Sequence, residues 1–213
     1  MDKLITFEGT EGSGKSTQIK LVSEHLSKMN VPFLITQEPT GTDIGRKIGG
    51  ILFNREHHSM CAEAEVFLFC AARAQHVREK IMPALKQNQI VLCDRFSDAT
   101  FAYQGFGRGL NLEFIKIIND YSSLKLKPNL TLLFDLPVEV GLKRALDRDN
   151  LLKDSSSSDR FEREKLDFHN RVREGYLKLY KNEPDRFCLI DATGDVDAIQ
   201  KEARKQILDF INR

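Results

Sequence analysis

The sequence predicts an α/β domain of three layers, in which a five-stranded parallel sheet is flanked by helices. Short apolar runs rich in β-branched residues alternate along the chain with longer amphipathic stretches, a pattern typical of βα units. The chain has 213 residues, which suits one compact domain better than two. We therefore expect residues 1–213 to fold as a single domain.

The strands and helices are expected in alternation. Short apolar, β-branched runs predict strands at Leu4–Glu8, Val31–Thr36, Ile90–Asp94, Leu130–Asp135 and Phe187–Ile190. Amphipathic stretches with helical spacing of apolar residues predict helices at about Lys15–Met29, Asp43–Leu52, Ala62–Lys86, Ser97–Phe106, Leu112–Leu124, Val138–Arg148, Arg163–Asn182 and Val196–Asn212.

Composition excludes several classes of partner. Lysine and arginine together number 32 and aspartate and glutamate 31, so no overall charge attracts nucleic acid or an anionic membrane. The four cysteines, Cys61, Cys70, Cys93 and Cys188, lack the spacing of metal ligands or of a CxxC motif, and we expect buried, reduced thiols. The N-terminus lacks the apolar core of a signal peptide, and no apolar run is long enough to span a bilayer. These features predict a soluble cytoplasmic protein.

A glycine-rich motif follows the first predicted strand directly. Residues 9–16 read GTEGSGKS, which matches the phosphate-binding P-loop pattern GxxxxGK[ST] between a strand and a helix. A chance glycine-rich turn is the alternative, and this context argues against it. The backbone N–H groups and the helix N-terminus are expected to bind phosphates, with Lys15 on the β- and γ-phosphates and Ser16 on Mg²⁺. The predicted donor-nucleotide contacts in the loop are Glu11, Gly12, Ser13, Gly14, Lys15, Ser16 and Thr17.

A P-loop enzyme also needs a carboxylate near the metal, at the end of a neighbouring strand. Asp94 follows the apolar run IVLC, and Asp135, which closes LTLLF, is the alternative. We favour Asp94, because Arg95 beside it places a cation where a second phosphate could lie.

Other features of the sequence argue against two common classes of P-loop protein, the GTPase switches and the motor or transporter ATPases. No NKxD guanine-reading motif occurs, and the chain is too short for a motor or transporter ATPase. A small kinase remains, and such an enzyme must stabilise the charge of a transferring phosphoryl group. Arg148, Lys153 and Arg160 bracket a serine-rich run, which is either a flexible linker after a solvated basic helix end or a mobile lid. We favour a lid at about 148–161.

In its motifs the chain resembles the bacterial thymidylate kinase family. The motifs that carry the resemblance are FEGTEGSGKST (7–17), EPTGT (38–42), FLFCAAR (67–73), DRFSDATFAYQGFGRG (94–109), DRFE (159–162) and FHNRV (168–172). The resemblance implies a P-loop nucleoside monophosphate kinase fold. It also implies a homodimer that uses ATP and Mg²⁺ to convert dTMP to dTDP, a step in dTTP biosynthesis.

The resemblance also implies a pocket for the base. Phe69 corresponds to an aromatic residue that stacks on thymine, and Arg73, one helical turn later, to an arginine that reads the base. Without the family pattern, Phe69 would be an ordinary core residue and Arg73 a surface residue. Thr100 and Gln104 correspond to the polar pair that faces the edge of the pyrimidine.

The sugar and phosphate contacts are implied in the same way. Tyr103 corresponds to the residue that crowds the ribose 2′ position, and Glu11 to an acidic residue that contacts the 3′-hydroxyl. Arg95 matches the arginine that holds the acceptor phosphate, and Glu38, in the EPTGT motif, is expected to contact the same substrate. Arg144 matches an arginine that stacks on adenine.

The family divides by the position of a catalytic cation. Thr10, Glu11 and Ser13, the variable positions of the P-loop, are not basic, which places the chain with the branch that supplies the cation from the lid. The expected lid cations are Arg148, Lys153 and Arg160.

Two positions depart from the family pattern. Gln37 and Gly49 stand where arginines commonly help to bind the monophosphate. Either Arg46 or Lys47 compensates, or the affinity for the monophosphate depends mainly on Arg95.

Two other functions are alternatives to a dTMP kinase. A kinase for another nucleoside or nucleoside monophosphate would differ only in the base pocket. A P-loop protein that binds nucleotide without turnover would not need the lid arginines, and their presence argues against it.

Overall fold

The computed structural model describes residues 3–151 and 160–212 and centres on a five-stranded sheet in which every pairing is parallel. The strands are β1 (Leu4–Glu8), β2 (Phe33–Gln37), β3 (Ile90–Asp94), β4 (Leu130–Asp135) and β5 (Phe187–Asp191), in the spatial order β2-β3-β1-β4-β5. The predicted strands and the α/β fold class are confirmed. β2 begins and ends slightly later than predicted, and β5 is one residue longer.

The helices follow the predicted order. They are α1 (Lys15–Lys28), α2 (Asp43–Phe53), α3 (Ala62–His76), α4 (Met82–Lys86), α5 (Ser97–Thr100), α6 (Leu112–Ser122), α7 (Val138–Leu151), α8 (Leu166–Asn182) and α9 (Val196–Ile211). In the described part of the chain, no helix is long and apolar enough to cross a membrane.

Two of the predicted helices contain a π-helical segment. Val77–Ile81 joins α3 to α4 inside the long helix predicted from residue 62 to residue 86. Phe101–Gly107 continues α5, and it carries Tyr103 and Gln104. Segments of this kind insert a residue into the helical repeat and are frequent at functional sites.

Helices cover both faces of the sheet, which gives the predicted three layers. Because side chains alternate along a strand, Leu4 and Ile5 face opposite layers. Ile5 belongs to a core with α1 and α9, which includes Val22 and Ile207. Leu4 belongs to a second core with the helical residues Val77, Ile81, Ala84 and Leu85.

Of the cysteines, Cys70 and Cys93 are buried, but Cys61 is exposed, so the expectation of buried thiols is wrong for Cys61.

The polar residues of the predicted site lie at the carboxyl edge of the sheet. Glu8, Asp94 and Asp135 end β1, β3 and β4, three neighbouring strands. Ligands of open parallel sheets bind at this edge, where loops from adjacent strands diverge. The fold therefore brings the P-loop after β1 beside Asp94 after β3.

Candidate active site

The P-loop conformation requires glycine at specific positions. Gly9, Gly12 and Gly14 have φ values of 141°, 66° and 85°, in the region that residues other than glycine rarely adopt. A Cβ atom on Gly12 would also collide with the backbone carbonyl of Gly141 in α7. The glycines therefore set the shape of the loop and allow α7 to pack directly against it.

Lys15 is buried inside the P-loop and only 8% exposed. Its ammonium group donates to the carbonyl oxygens of Gly9 (3.1 Å) and Thr10 (2.8 Å) and to Oγ of Ser13 (3.1 Å). Burial, together with the positive charge of Arg95, lowers the Lys15 pKa to about 8. The charge is thus held at the centre of the loop, where phosphate groups would be its strongest partners.

Ser16 and Asp94 form the oxygen pair that the sequence predicts for a metal. The Ser16 hydroxyl donates to Oδ2 of Asp94 at 2.9 Å. Asp135, the alternative carboxylate, accepts two bonds from Arg173, at 2.7 and 2.8 Å. Mg²⁺ binds hard oxygen ligands and is usually held by one or two side chains together with substrate phosphates, so Ser16 and Asp94 fit this ion.

Arg95 lies between the P-loop and the cavity. Its φ of 64° is positive, and Nη1 donates to the carbonyl of Gly9 (2.9 Å) and to the hydroxyl of Tyr176 (3.1 Å). The guanidinium group also lies 4.9 Å from the centre of the Tyr103 ring. These contacts fix a permanent cation at the end of β3, beside Asp94.

Glu11 is an anion inside the phosphate-binding loop. Its carboxylate accepts a 2.5 Å bond from Tyr103 and lies 3.2 Å from Nδ1 of His169 and 3.4 Å from Nη2 of Arg95. Burial alone would raise the Glu11 pKa, but His169, Arg95 and Tyr103 outweigh it and lower the pKa to about 2. The Glu11 charge is therefore fixed, and its contact with Tyr103 joins two residues expected to face the sugar.

A second carboxyl group, Glu8, lies behind the P-loop and is completely buried. It accepts hydrogen bonds from the Phe96 backbone N–H and the Tyr176 hydroxyl, both at 2.7 Å. Burial and the nearby Asp98 raise the Glu8 pKa to about 8. Sequence reasoning missed Glu8 and Tyr176. A glutamate that ends an apolar strand was the available signal for Glu8.

A cavity of about 270 Å³ opens beside the P-loop. Its lining includes the predicted donor and metal residues Gly12, Lys15, Ser16 and Asp94. It also includes the predicted acceptor residues Glu11, Glu38, Phe69, Arg73, Arg95, Thr100, Tyr103 and Gln104. The structure therefore brings all of the predicted acceptor residues to one cavity with Lys15 and the Ser16–Asp94 pair. Four of the predicted donor contacts, Ser13, Gly14, Thr17 and Arg144, do not line this cavity.

Arg73 is a wall of this cavity rather than a surface residue, since its side chain is only 1% exposed. Nε donates to Glu38 at 2.8 Å, Nη1 to Asn119 at 2.5 Å, and Nη2 to Thr100 Oγ1 at 2.9 Å. Glu38 also lies 3.3 Å from Nδ1 of His76. Glu38 thus sets the orientation of Arg73, a relation that sequence reasoning missed.

Phe69 is half-buried at the cavity, and Phe161 packs against it. The two ring centres lie 6.0 Å apart, and Phe161 also makes an edge contact with Tyr103, at 5.9 Å. Phe161 belongs to the DRFE motif, which was the available signal for its place here. A second aromatic ring therefore packs at an angle against the predicted stacking residue.

The predicted lid residues are only partly described. The side chain of Arg148 and the whole of Lys153 lie outside the described residues. Arg160 is 7% exposed and donates to the Leu52 carbonyl (3.1 Å) and to Glu65 (2.6 Å). Its described contacts are thus with the wall behind the cavity. Arg144 donates to the carbonyl oxygens of Ala192 (2.8 Å) and Thr193 (3.3 Å), which follow β5.

The positions that depart from the family pattern make local contacts. Gln37 donates to Thr40 Oγ1, and Gly49 packs against Thr40 and Phe53. Arg46 pairs with Asp43 on the exposed face of α2, and Lys47 is exposed, so neither proposed substitute lines the cavity. In the described part of the chain, Arg95 and Arg73 are the arginines that line it.

Comparisons with known proteins agree with this geometry. The family model for thymidylate kinase matches residues 7–203. Thymidylate kinase of Syntrophus aciditrophicus is 50% identical over 207 residues, which cover 97% of this chain and 94% of that protein. The enzyme of Geotalea daltonii is 49% identical over 212 residues, which cover 100% and 99%.

A solved structure agrees over the full length. The crystal structure of thymidylate kinase from Ehrlichia chaffeensis matches with a TM-score of 0.75 at 29% identity, and the match covers 100% of this chain and 99% of that one. The P-loop, the shared donor and acceptor cavity and these matches lead to one conclusion. The chain belongs to the thymidylate kinase family.

Proposed function

We propose that the chain transfers the γ-phosphoryl group of ATP to dTMP, with Mg²⁺, and that the predicted site residues perform this reaction. One observation carries the proposal: the P-loop lysine and the Ser16–Asp94 pair open into the same cavity as the Phe69, Arg73 and Gln104 wall. A P-loop protein that only held nucleotide would need no second pocket beside its phosphate site.

On the donor side, the loop from Gly12 to Thr17 would bind the phosphates of ATP. Lys15 already makes three hydrogen bonds within the P-loop, to Gly9, Thr10 and Ser13, and phosphate oxygens would replace these acceptors with stronger, charged partners. Ser16 and Asp94 would hold Mg²⁺, which when bound neutralises charge on the phosphates. Arg144 stands beside the loop after β5, where we propose that adenine lies.

On the acceptor side, Arg95 would hold the dTMP phosphate and Phe69 would stack on the base. Arg73, Thr100 and Gln104 would face its polar edge. Tyr103 and Glu11, joined by their 2.5 Å hydrogen bond, would contact the sugar.

Catalysis on this account is positioning and charge neutralisation. A phosphate monoester is already anionic at neutral pH, so no general base is needed. The Gly9 and Tyr176 contacts of Arg95 fix this cation before substrate arrives, which avoids the cost of ordering it during the reaction. We propose that Arg148 and Lys153 supply the remaining positive charge, because the P-loop positions Thr10, Glu11 and Ser13 carry none. The third predicted lid cation, Arg160, already pairs with Glu65 and would support the site from behind.

We also propose a cytoplasmic homodimer. Within the described residues the four cysteines form no disulfide, which is usual in a reducing compartment. Apolar side chains are exposed on the neighbouring helices α3 and α6, where Phe67, Ile117 and Tyr121 are 54%, 66% and 83% exposed. Such a patch is typical of a protein contact.

The dimer can be tested by light scattering. Ile117→Lys should shift the mass of the particle from dimer toward monomer. Met29→Lys makes a similar change at an exposed position directly after α1, a helix that packs with α9 away from this patch, and should not shift the mass. A monomeric wild type, or equal behaviour of the two variants, would contradict the proposed interface.

The reaction is tested by ADP release with four acceptors in turn: dTMP, dUMP, dCMP and AMP. The proposal expects the highest kcat/KM with dTMP, and turnover that requires Mg²⁺. A higher value with dCMP or AMP would assign the chain another acceptor, and no acceptor-dependent turnover at all would reject the kinase.

A further inference from the structure

A buried carboxylate lies directly behind the wall of the base pocket. Glu65, near the start of α3, is 0% exposed. It receives hydrogen bonds from Gln104 Nε2 (2.8 Å), Arg160 Nη2 (2.6 Å), and Nε and Nη2 of Arg108 (3.1 and 3.0 Å). Every one of these partners is a donor.

This environment decides which end of the Gln104 amide faces the cavity. Guanidinium groups only donate hydrogen bonds, so Glu65 accepts from both Arg108 and Arg160. A carboxylate has no hydrogen to donate, so it can only accept from Gln104 as well. The NH₂ end of the amide must therefore point at Glu65. Gln104 lines the cavity and Glu65 does not, so the carbonyl oxygen Oε1 is the end left to meet a ligand.

We propose that Glu65 is a positioning residue that makes the pocket select pyrimidines with a hydrogen on N3, by fixing Gln104 with its carbonyl toward the base. This inference depends on the proposed function, in which the cavity holds the base of dTMP. N3 of thymine and of uracil carries a hydrogen and can donate to Oε1. N3 of cytosine carries a lone pair, so two acceptors would face each other and neither would be satisfied.

The rest of the polar wall has the complementary pattern. Thr100 Oγ1 accepts from Arg73, which leaves the hydroxyl hydrogen of Thr100 available for donation. A donor at this position suits the O4 oxygen of thymine. The selection against cytosine rests on Gln104, because the second lone pair of the Thr100 hydroxyl can accept from an amino group. The wall thus presents an acceptor from Gln104 and a donor from Thr100, one turn apart.

The direct test is Glu65→Gln, with kcat/KM measured for dTMP, dUMP and dCMP. Nη2 of Arg108 and Nη2 of Arg160, which both donate to Oε2 of Glu65, would hold the new carbonyl. The new NH₂ would then replace Oε1, remove the acceptor of Arg108 Nε, face Gln104 and turn the Gln104 NH₂ toward the base. We expect the preference for dTMP over dCMP to fall by about tenfold or more, the usual effect of one mismatched buried hydrogen bond. The preference for dTMP over dUMP should stay unchanged, because both bases carry the N3 hydrogen.

Two comparisons separate this role from a structural one. Arg108→Gln disturbs the same cluster but leaves the Glu65–Gln104 contact in place, so it should keep the wild-type preference for dTMP over dCMP. Adding Glu65→Gln to a Gln104→Ala protein should change that preference no further, because Glu65 acts through Gln104. Loss of folding would lower the rates for all three substrates together and leave the ratios unmoved.

A folded Glu65→Gln enzyme with wild-type preference for dTMP over dCMP would overturn the inference. If that variant does not fold, Glu65→Asp keeps the charge for both arginines and withdraws the carboxylate from Gln104. It must lower the same ratio, and an unchanged ratio would again overturn the inference. The wild type is measured in the same assay, so failure of the proposed function would be seen separately, as a wild type that does not use dTMP.

Discussion

Replacing Glu8 with glutamine should make the empty enzyme more stable at neutral pH. Glu8 is fully buried behind the P-loop, and its pKa is raised from 4.5 to about 8, by burial first and then by Asp98. Glutamine has the same shape and no charge. It can accept from the Phe96 N–H through its carbonyl and donate to the Tyr176 hydroxyl through its amide.

The magnitude follows from the proton balance. Between pH 4.5 and 8 the folded protein holds a proton on Glu8 that the unfolded chain has lost, so this residue makes the free energy of unfolding fall as pH rises. The free energy of unfolding falls by about 1.4 kcal/mol for each pH unit in this range. Relative to acidic pH, Glu8 therefore lowers the stability of the wild type by about 3 kcal/mol at pH 7 and by about 5 kcal/mol above pH 8. Glu8→Gln should therefore gain on the wild type steadily across this range.

Urea unfolding followed by circular dichroism at pH 5, 6, 7 and 8 measures this difference. Glu24→Gln makes the same chemical change on the exposed surface of α1 and should follow the wild type at every pH. If the free energies of unfolding of Glu8→Gln and the wild type ran parallel from pH 5 to pH 8, the raised pKa of Glu8 would be refuted.

Three further substitutions test the site. Lys15→Ala should leave the protein folded and remove most turnover, since an unneutralised triphosphate costs several kcal/mol in the transition state; near-normal turnover would exclude the P-loop assignment. Phe69→Ala should weaken dTMP binding in calorimetric titration by about 1–3 kcal/mol and leave ATP binding nearly unchanged, because one aromatic–base stack is lost. Equal losses for both nucleotides would make Phe69 a core residue. Asp94→Asn should raise the Mg²⁺ concentration needed for half-maximal rate far more than Asp135→Asn, because Asp94 contacts Ser16 and Asp135 pairs with Arg173; similar shifts would argue against Asp94 as the metal ligand.

The predictions from local sequence patterns agree well with the structure. β1, β3 and β4 have the predicted bounds, because each is an apolar run that ends at a carboxylate. The P-loop could be predicted because its glycines stand at fixed positions within eight residues. The backbone there has positive φ angles, which favour glycine. The two π-helical segments could not be predicted, since an inserted residue leaves the apolar periodicity of a helix almost unchanged.

The interior of the site was harder to predict than its motifs. Glu65 lies in the unremarkable run AEAEVF, and its partners Gln104, Arg108 and Arg160 are 39, 43 and 95 residues away. Only the folded chain brings them together. The same holds for the contact of Glu8 with Tyr176, which lies 168 residues away. The roles of Phe69, Arg73 and Arg144 came from the family resemblance, because spacing alone left them open.

If donor and acceptor meet in one cavity, phosphoryl transfer between them should be direct. A single turnover, in which ATP labelled in its γ-phosphate is mixed with excess enzyme and dTMP and quenched over time, follows the path of the phosphoryl group. We expect label to enter dTDP at the rate at which it leaves ATP. We also expect no labelled protein in the absence of dTMP. Label that appeared first on the protein, or that passed to water instead of dTMP, would contradict direct transfer.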